Sequence, residues 1–485
     1  MKLKVIKTKN IGLVLGPALF VLVQFILPID GLSDEGKAVL ATTLWVGIWW
    51  MTEAIPIEAT SLLPIILFPI TGALGMKATT APYANPLIFL FLGGFMIALA
   101  IEKWNLHKRI ALNIIVFIGT EPSEIILGFM VATGFLSMWI SNTATTLMMI
   151  PIGISVVSHV AEKEKFAKAL MLSIAYSASI GGMATLIGTP PNIVFAGIVR
   201  DTFQVALDFV GWMMLALPFS ILLIGISWYV IAKIIYPIKD ADNSGIDEIK
   251  LKLSELGKIS TEEKRVLIVF TLTALAWISR SFILNKFIPG INDTMIGMTG
   301  GLSLFLLPSS NRGERLIDWG IMKKVPWGIL ILFGGGLSIA NGFVQTDLSQ
   351  WLGLQFNYLE GLELIILIMA VVAMVNFLTE ITSNIATASM ILPILAALAI
   401  SIDIHPYSLM VGAILAASCA FMLPVATAPN AIVFGSGYIK MKDMIRTGIW
   451  LNIISIMLIT IFVYWIMPLF WDIELTGIPT KFLPK

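Results

Sequence analysis

The sequence predicts an all-α polytopic membrane protein with about 11 transmembrane helices, two re-entrant hairpins and two halves of inverted topology. Composition is the first reason, because the 485 residues are 58% hydrophobic and 13% charged, with a mean hydropathy of +0.92. A soluble domain carries about 25% charged residues. The second reason is that apolar runs of about 20 residues, each able to cross a hydrocarbon core of roughly 30 Å as a helix, recur along the chain. The third is a pair of matching segments in which Ser-Asn interrupts an apolar run.

The apolar runs and their interruptions place the helices in order. The first run, 11–29, follows a lysine-rich start that resembles a signal peptide, but its length and the later spans predict a retained helix. Further spans are predicted near 38–54, 57–74, 86–102, 209–236, 266–284, 294–308, 326–345 and 447–470. Four segments are interrupted, namely 124–160 at 141–143, 168–200 at 188–192, 362–401 at 383–385 and 406–438 at 426–430. We expect the polar stretch 238–264 to be a solvated surface helix or a linker.

The distribution of basic residues orients these segments, because cytoplasmic loops are enriched in Lys and Arg. The N-terminus is assigned to the cytoplasm, and both Ser-Asn segments are treated as hairpins that enter and leave on one side. Only seven of the 31 Lys and Arg residues then fall outside, namely Lys37, Lys77, Arg200, Arg280, Lys286, Lys481 and Lys485. Treating either segment as a full span would scramble this asymmetry. The C-terminus is therefore predicted outside, with the first hairpin open to the cytoplasm and the second open to the outside.

Three sequence elements recur in the same order in both halves. The glycine cluster at 92–94 recurs at 334–336, the Ser-Asn segment at 141–145 recurs at 383–387, and the Thr-Pro-Asn break at 189–195 recurs at 427–434. An odd number of spans separates the two hairpins, so the halves are oppositely oriented and form an inverted repeat. Broken helices at matching positions of two halves are the best sequence indication of a transporter's binding site.

The repeated breaks contain the residue types that an anion site inside a membrane requires. Ser, Asn and Thr are preferred N-cap residues, so each tip can begin the second arm of its hairpin. Pro190, Pro191 and Pro429 suit the first turn of a helix, so helices should restart there as well. Four helix N-termini would then meet, and their free N–H groups and dipoles favour an anion. The carbonyl oxygens on the other side of each break suit a cation such as Na⁺.

Other residues carry weaker signals. Ser, Thr and Asn in membrane helices often serve only as contacts between helices, and the pairing of the motifs is what favours a binding site here. Glu380, three residues before Ser383, is either functional or a brace of its hairpin. Glu53 and Glu58 are expected to brace the turn between the second and third spans. The fourteen tryptophans are expected mainly at the membrane interfaces and against lipid.

At these motifs the chain resembles the divalent anion:sodium symporter family, which carries di- and tricarboxylates. The matching stretches are 49–56, 137–146, 187–192, 379–384 and 429–431. The resemblance implies a homodimer in the cell (inner) membrane, in which a transport domain moves against a scaffold by an elevator mechanism. It divides the chain into scaffold segments 1–107 and 265–358, transport segments 108–237 and 359–485, and a cytoplasmic charged linker 238–264.

The resemblance also implies the residues of the site. The expected substrate-binding residues are Ser141, Asn142, Thr143, Thr189, Ser383, Asn384, Ile385 and Thr427. The expected first sodium site is formed by Ser137, Ser141, Asn142 and Gly188, and the second by Thr379, Thr382, Asn384 and Ala426. Ile385 stands where the first motif has a threonine, so its contact with a carboxylate should be weaker or made by the backbone alone. This substitution leaves the choice of substrate open.

The leading functional hypothesis is import of the C4-dicarboxylates succinate, malate and fumarate by sodium symport. It requires Na⁺ as the coupling ion, no organic cofactor, and a dicarboxylate anion and the lipid bilayer as partners, with no nucleic acid. The alternatives are a sodium-independent dicarboxylate exchanger, and a symporter for citrate or another divalent anion. A pump or antiporter for protons or arsenite would need more buried acids than Glu380 alone. An enzyme is disfavoured because the sequence lacks a Walker A lysine, a His-Glu-x-x-His zinc motif and a plausible Ser–His pair.

Overall fold

The computed structural model describes residues 2–160, 162–238, 244–311, 313–356 and 361–482, and within these ranges the chain is mainly helical. Side chains are described for the same ranges except residues 2–7, 244 and 481. Lys485 and the boundary predicted at 358–359 therefore lie outside the described residues, and of the lysines in the lysine-rich start only Lys9 has a described side chain.

The first half of the chain folds into helices at the predicted apolar runs. Their bounds are Lys2–Val21 with the π-helical turn Leu22–Ile26, Asp34–Thr52, Ile57–Thr60, Leu63–Thr71, Met76–Thr80 with the 3-10 turn Ala81–Ala84, Pro86–Lys103, Leu106–Ile118, Pro122–Ser137, Asn142–Val157, Lys163–Gly182, Pro190–Phe203, and Phe209–Tyr229 with the π-helical turn Val230–Ile235. We call Pro122–Ser137 and Asn142–Val157 the first hairpin. The predicted break at Ser141 and the restart at Pro190 are confirmed.

The linker and the second half of the chain are also mainly helical. Their helices are Ser244–Glu255, Thr261–Ser279 with Arg280–Leu284 and Asn285–Phe287, Asp293–Leu306, the 3-10 turn Trp319–Lys324, Trp327–Gln345, Leu348–Gln355, Leu364–Thr379, Asn384–Ser401, Tyr407–Ala417, Ala428–Gly435, Met441–Ile461 with Phe462–Ile466 and Met467–Trp471, and the 3-10 turn Thr480–Phe482. We call Leu364–Thr379 and Asn384–Ser401 the second hairpin. The breaks at Ser383 and before Ala428 are also where the sequence predicts them.

Within the described residues, seven helices are long and apolar enough to cross a membrane. They are Thr8–Ile26, Met76–Lys103, Phe209–Ile235, Thr261–Phe287, Trp327–Gln345, Asn384–Ser401 and Met441–Trp471. Three arms of the two hairpins have 16 residues each, which is short for a span, but the fourth, Asn384–Ser401, has 18. The polytopic all-helical class is confirmed, and the count of eleven spans remains a prediction.

Several helix boundaries differ from those predicted, and at two of them the local cause is visible. The first helical run ends at Ile26 rather than near 29, because the backbone is already extended immediately before Pro28. The polar stretch was expected to continue to 264, but a helix begins at Thr261. Ser260 and Glu263 form a capping box that begins this helix, and charged residues in its first turn do not prevent it from forming.

Helices that lie before the two hairpins are absent from the sequence prediction. Leu106–Ile118 precedes the first hairpin and buries Leu112 and Ile115 on one face. Leu348–Gln355 occupies the corresponding place before the second hairpin and packs through Gly353 against the hairpin residue Ser401. A search for continuous apolar runs misses such helices because only one face is apolar, although their spacing of three and four residues is visible in the sequence.

The linker helix Ser244–Glu255 is packed rather than fully solvated. Ile246 and Ile249 are buried, and Gly245 lies against Val156 of the first hairpin. Past its C-terminal end, Arg109 donates a hydrogen bond to the carbonyl oxygen of Gly257 at 3.0 Å. The linker thus covers the open end of the first hairpin.

Several tryptophans lie in the core instead of facing lipid. Trp50, Trp212 and Trp277 are 0–1% exposed, so the expectation of interfacial or lipid-facing positions is wrong for them. Trp139, next to the first hairpin tip, stacks with Trp277 and with Phe209 at centroid distances of 6.3 and 6.0 Å. The tip therefore packs against aromatic rings from helices outside its own hairpin.

Candidate functional site

A cavity of about 620 Å³ lies where the four interrupted segments meet. Both hairpin tips and both later breaks contribute to its wall. All the residues expected to bind substrate line it, namely Ser141, Asn142, Thr143, Thr189, Ser383, Asn384, Ile385 and Thr427. Gly188, Thr382 and Ala426 of the expected sodium sites line it as well, whereas Ser137 and Thr379 lie buried behind the tips.

A helix begins at each of the four interruptions. Ser141 caps Asn142–Val157 and accepts a hydrogen bond from the backbone N–H of Ala144 at 3.3 Å. Thr427 caps the helix Ala428–Gly435 in the same way. Thr189 and Ser383 begin the other two helices without using their hydroxyls as caps. Four helix N-termini therefore reach one cavity, and their partial positive charges favour an anion there.

The asparagines of the two Pro-Asn breaks hold the irregular backbone in place. The Asn192 amide donates to the carbonyl oxygens of Thr185 and Met183 at 2.7 and 3.1 Å. The Asn430 amide donates to the carbonyl oxygen of Leu423 at 3.0 Å, with the same sequence offset as Asn192 to Thr185. Both asparagines are fully buried, so they satisfy carbonyl groups that the breaks release from helix hydrogen bonding.

Oxygen atoms converge behind the first hairpin tip. The Asn142 Oδ1 atom faces three acceptors, at 2.6 Å from Ser137 Oγ, 3.2 Å from the carbonyl oxygen of Ala178 and 3.3 Å from that of Gly188. The Ser137 hydroxyl has one proton but lies within hydrogen-bond distance of two acceptors. These are Asn142 Oδ1 and the carbonyl oxygen of Ala178, which is 2.7 Å from Ser137 Oγ. Rotating the amide places its NH₂ group, which has two N–H donors, toward Ser137 Oγ and the two carbonyl oxygens and removes the conflict, whereas a bound cation would balance the unrotated arrangement.

The second hairpin repeats this arrangement. Thr379 Oγ1 lies 2.6 Å from Asn384 Oδ1 and 3.0 Å from the carbonyl oxygen of Ala417, so one hydroxyl proton again faces two acceptors. The Thr382 hydroxyl is engaged within the hairpin, 2.6 Å from the hydroxyl of Thr387. The same hydroxyl donates to the carbonyl oxygen of Leu378 at 2.8 Å, so the side chain already takes part in two hydrogen bonds within the hairpin.

Close backbone approach at the first site depends on glycine. A Cβ atom on Gly182 would collide with the amide of Asn142, and one on Gly188 would collide with the carbonyl oxygen of Gly182. Gly188 was expected as part of the first sodium site, whereas Gly182 was not assigned to the site from the sequence. The structure shows that they allow the Asn142 amide to approach the broken helix.

Glu380 lies outside the cavity wall and is 3% exposed. Its carboxylate accepts the backbone N–H groups of Phe421, Met422 and Leu423 at 2.8–2.9 Å and the side-chain amide of Asn452 at 2.7 Å. Each of these contacts compensates for the removal of the carboxylate from water. Of the two roles considered for Glu380, these contacts favour the brace, because they join the second hairpin to the break that follows it.

The cavity wall opposite the tips is mostly apolar. It is formed by Trp50, Ile57, Phe91, Phe95 and Ile329, from helices outside the four interrupted segments. Sequence reasoning assigned none of these residues to the site. Trp50 falls within the matching stretch 49–56, whereas the others belong to ordinary apolar runs without a distinguishing pattern. A polar ligand would therefore find most of its hydrogen-bond partners at the tips and breaks.

Fold and site together define a helical membrane transporter. The fold is similar to two solved structures, MtrF of Neisseria gonorrhoeae (TM-score 0.57, 13% identity, 91% of this chain and 96% of that chain) and the YdaH transporter of Alcanivorax borkumensis (TM-score 0.60, 12% identity, 88% and 99%). The model of a family described as the sodium:sulfate symporter transmembrane region matches residues 7–471. The chain belongs to this family, which confirms the resemblance carried by the motifs.

Curated relatives cover nearly the whole chain. A protein of Staphylococcus saprophyticus named sodium-dependent dicarboxylate transporter SdcS is 48% identical over 482 residues, covering 96% of this chain and 93% of that protein. A protein of the same name from Staphylococcus aureus strain USA300 is 46% identical over 481 residues, covering 96% and 92%. These relatives are named as transporters and not as enzymes, in agreement with the sequence prediction.

Proposed function

We propose that this protein imports the C4-dicarboxylates succinate, malate and fumarate by sodium symport. The observation that carries the proposal is the cavity in which four helix N-termini meet neutral hydrogen-bond donors, with an oxygen cluster behind each hairpin tip. Relatives at 46–48% identity are named sodium-dependent dicarboxylate transporters, which supports both the anion and the coupling ion.

The dianion is bound by the two hairpin tips together. Ser141, Asn142 and Thr143 serve one carboxylate, and Ser383 and Asn384 serve the other. Thr189 and Thr427, at the starts of the two later helices, complete the ring of donors. Ile385 offers only its backbone, so one end of the substrate is held by fewer side-chain hydrogen bonds than the other. The volume of about 620 Å³ is also compatible with citrate, which is the closest alternative substrate.

Two sodium ions travel with the substrate as co-transported ions. Ser137, Ser141, Asn142 and Gly188 form the first site, where Ser137 Oγ and the carbonyl oxygens of Ala178 and Gly188 lie within 3.3 Å of one end of the Asn142 amide. Thr379, Thr382, Asn384 and Ala426 form the second, where the Thr379 and Asn384 oxygens face each other as at the first. Hydroxyl, amide and carbonyl oxygens are the ligands that hard cations prefer. No organic cofactor takes part.

Movement of a transport domain against a scaffold gives alternating access. The proposed transport segments, 108–237 and 359–485, supply the hairpin tips and the breaks, and the proposed scaffold segments, 1–107 and 265–358, supply the mostly apolar wall together with Lys9 and Glu53 at the mouth. A substrate held mainly by the transport segments can move together with them. The protein works as a homodimer in the cell membrane with its N-terminus in the cytoplasm. The cavity reaches Thr8 and Lys9 near that N-terminus, so this conformation opens toward the cytoplasm.

Uptake into liposomes tests the proposal. Purified protein is reconstituted, and labelled succinate is followed with an inward sodium gradient, with potassium in its place, and with unlabelled succinate inside. Uptake that requires sodium supports the symporter, and uptake that requires only internal dicarboxylate identifies an exchanger instead. No movement of succinate, malate, fumarate or citrate under any condition would refute the assignment to carboxylates.

A further inference from the structure

The large cavity has a charged mouth. Lys9 of the first helix and Glu53, the C-cap of Asp34–Thr52, both line it, and the Lys9 ammonium lies 3.5 Å from the Glu53 carboxylate. A second cavity of about 290 Å³ shares Lys9, Glu53 and Ile57 with the first and extends along residues 54–58. The ion pair therefore stands at the junction of a deep chamber and an outer vestibule.

Among the described residues that line the large cavity, Lys9 and Glu53 are the ones that carry a charge. The hairpin tips bind through neutral groups and helix ends, and the opposite wall is mostly apolar. A dianion that leaves the tips through this mouth must pass one ammonium and one carboxylate. The ammonium attracts the dianion and the carboxylate repels it. Water weakens both interactions, since the Lys9 and Glu53 side chains are 42% and 66% exposed.

We propose that Lys9 is a second, weaker anion-binding point, at which the dicarboxylate pauses between the hairpin tips and the solvent. The inference rests on the proposed transport of a dianion. Glu53 competes with the substrate for the Lys9 ammonium, which keeps the pause short and returns Lys9 to its ion pair when the substrate has left. Glu58 adds a second carboxylate to the vestibule wall and, like Glu53, repels the dianion.

Neutralising Lys9 and neutralising Glu53 should shift the half-saturation concentration of succinate in opposite directions, because the two side chains carry opposite charges. Lys9→Gln removes the attraction and should raise the half-saturation concentration of succinate by about three- to tenfold at low ionic strength. Glu53→Gln removes the competitor and should lower it by about twofold. Both shifts should shrink as ionic strength rises toward roughly 0.5 M, because exposed charges are screened.

The experiment measures succinate half-saturation in inside-out and right-side-out vesicles at fixed sodium, with choline chloride setting the ionic strength. The variants are Lys9→Gln, Glu53→Gln and their double mutant, and Lys264→Gln, an exposed lysine away from the cavity, is the matched control. Lys9→Arg keeps the charge and should restore near-normal half-saturation. The shifts should be confined to the vesicle orientation that presents the Lys9 mouth to the labelled substrate.

Equal loss of transport in Lys9→Gln and Glu53→Gln, insensitive to salt, would show that the ion pair only ties the first helix to the second and would overturn the inference. The same conclusion follows if neither variant differs from Lys264→Gln. Failure of the proposed function is distinguishable, because the unmodified protein would then move no dicarboxylate in either orientation.

Discussion

The hydroxyl of Thr379 lies 2.6 Å from the amide oxygen of Asn384, and Ser137 lies at the same distance from Asn142 in the other half of the chain. In each pair the hydroxyl also reaches a carbonyl oxygen of a helix that ends in a break, at Ala417 and Ala178. The two hairpins thus carry the same polar contact at matching positions, five residues apart in sequence. This doubled contact is the basis of the first two predictions.

Replacing either tip asparagine should abolish most transport without unfolding the protein. Asn142→Ala and Asn384→Ala each remove a donor to the substrate and a ligand of the cation, and hydrogen bonds to charged groups contribute about 1.5–3 kcal/mol, or roughly ten- to a hundredfold in affinity. Succinate uptake measures the effect, and gel filtration in detergent monitors folding. Asn113→Ala, which alters an exposed asparagine, is the control. Near-normal uptake in the tip variants would show that both motifs serve only as contacts between helices.

Sodium should stabilise the protein against heat, because it binds only where the folded chain brings the oxygens together. At ten times its dissociation constant a ligand adds about 1.4 kcal/mol to the free energy of unfolding. The melting temperature should therefore rise when choline chloride is exchanged for sodium chloride, and Ser137→Ala and Thr379→Ala should each reduce the rise. Ser155→Ala removes a hydroxyl on the first hairpin that contacts only its own helix turn, and should leave the rise intact. An identical response in all four proteins would exclude cation binding at these clusters.

Glu380→Gln should lower stability and slow transport together. The glutamine NH₂ group would face backbone N–H groups that now donate to a carboxylate oxygen, and an unsatisfied buried donor costs about 1–3 kcal/mol. The melting temperature and succinate uptake measure the two effects. Glu363→Gln, at the exposed start of the same hairpin, provides the comparison. A variant with unchanged stability but no transport would contradict the brace and return Glu380 to a direct role.

The C-terminal segment should contribute strongly to stability. Phe482 is fully buried, and its ring lies 4.6–5.1 Å from the rings of Phe203, His405 and Tyr407. Phe482→Ala should reduce the free energy of unfolding by about 3 kcal/mol through loss of this packing. Leu469→Ala removes an apolar side chain that is 80% exposed and should have a much smaller effect on the melting temperature. Equal effects of the two substitutions would mean that the segment is not docked in solution.

The sequence by itself determined the helical membrane class, the four breaks and the residue types at each. These features are local, since an apolar run, an N-cap residue and a proline in a first turn act on their immediate neighbours in the chain. That is why the helices that begin at Asn142, Pro190, Asn384 and Ala428 start where the motifs predict. Inverted orientation, the scaffold and transport division and the homodimer remain predictions.

The tertiary structure alone decided which groups face one another. Glu380 finds its partners 41 to 72 residues away, Ser137 contacts a carbonyl group 41 residues away, and Lys9 meets the C-cap of another helix. None of these contacts follows from spacing along a helix, because each depends on how two helices pack. The apolar wall opposite the tips cannot be recognised from the sequence either, because its residue types are the same as those that face lipid. The motifs thus specify where helices begin, and packing decides that those beginnings share one cavity.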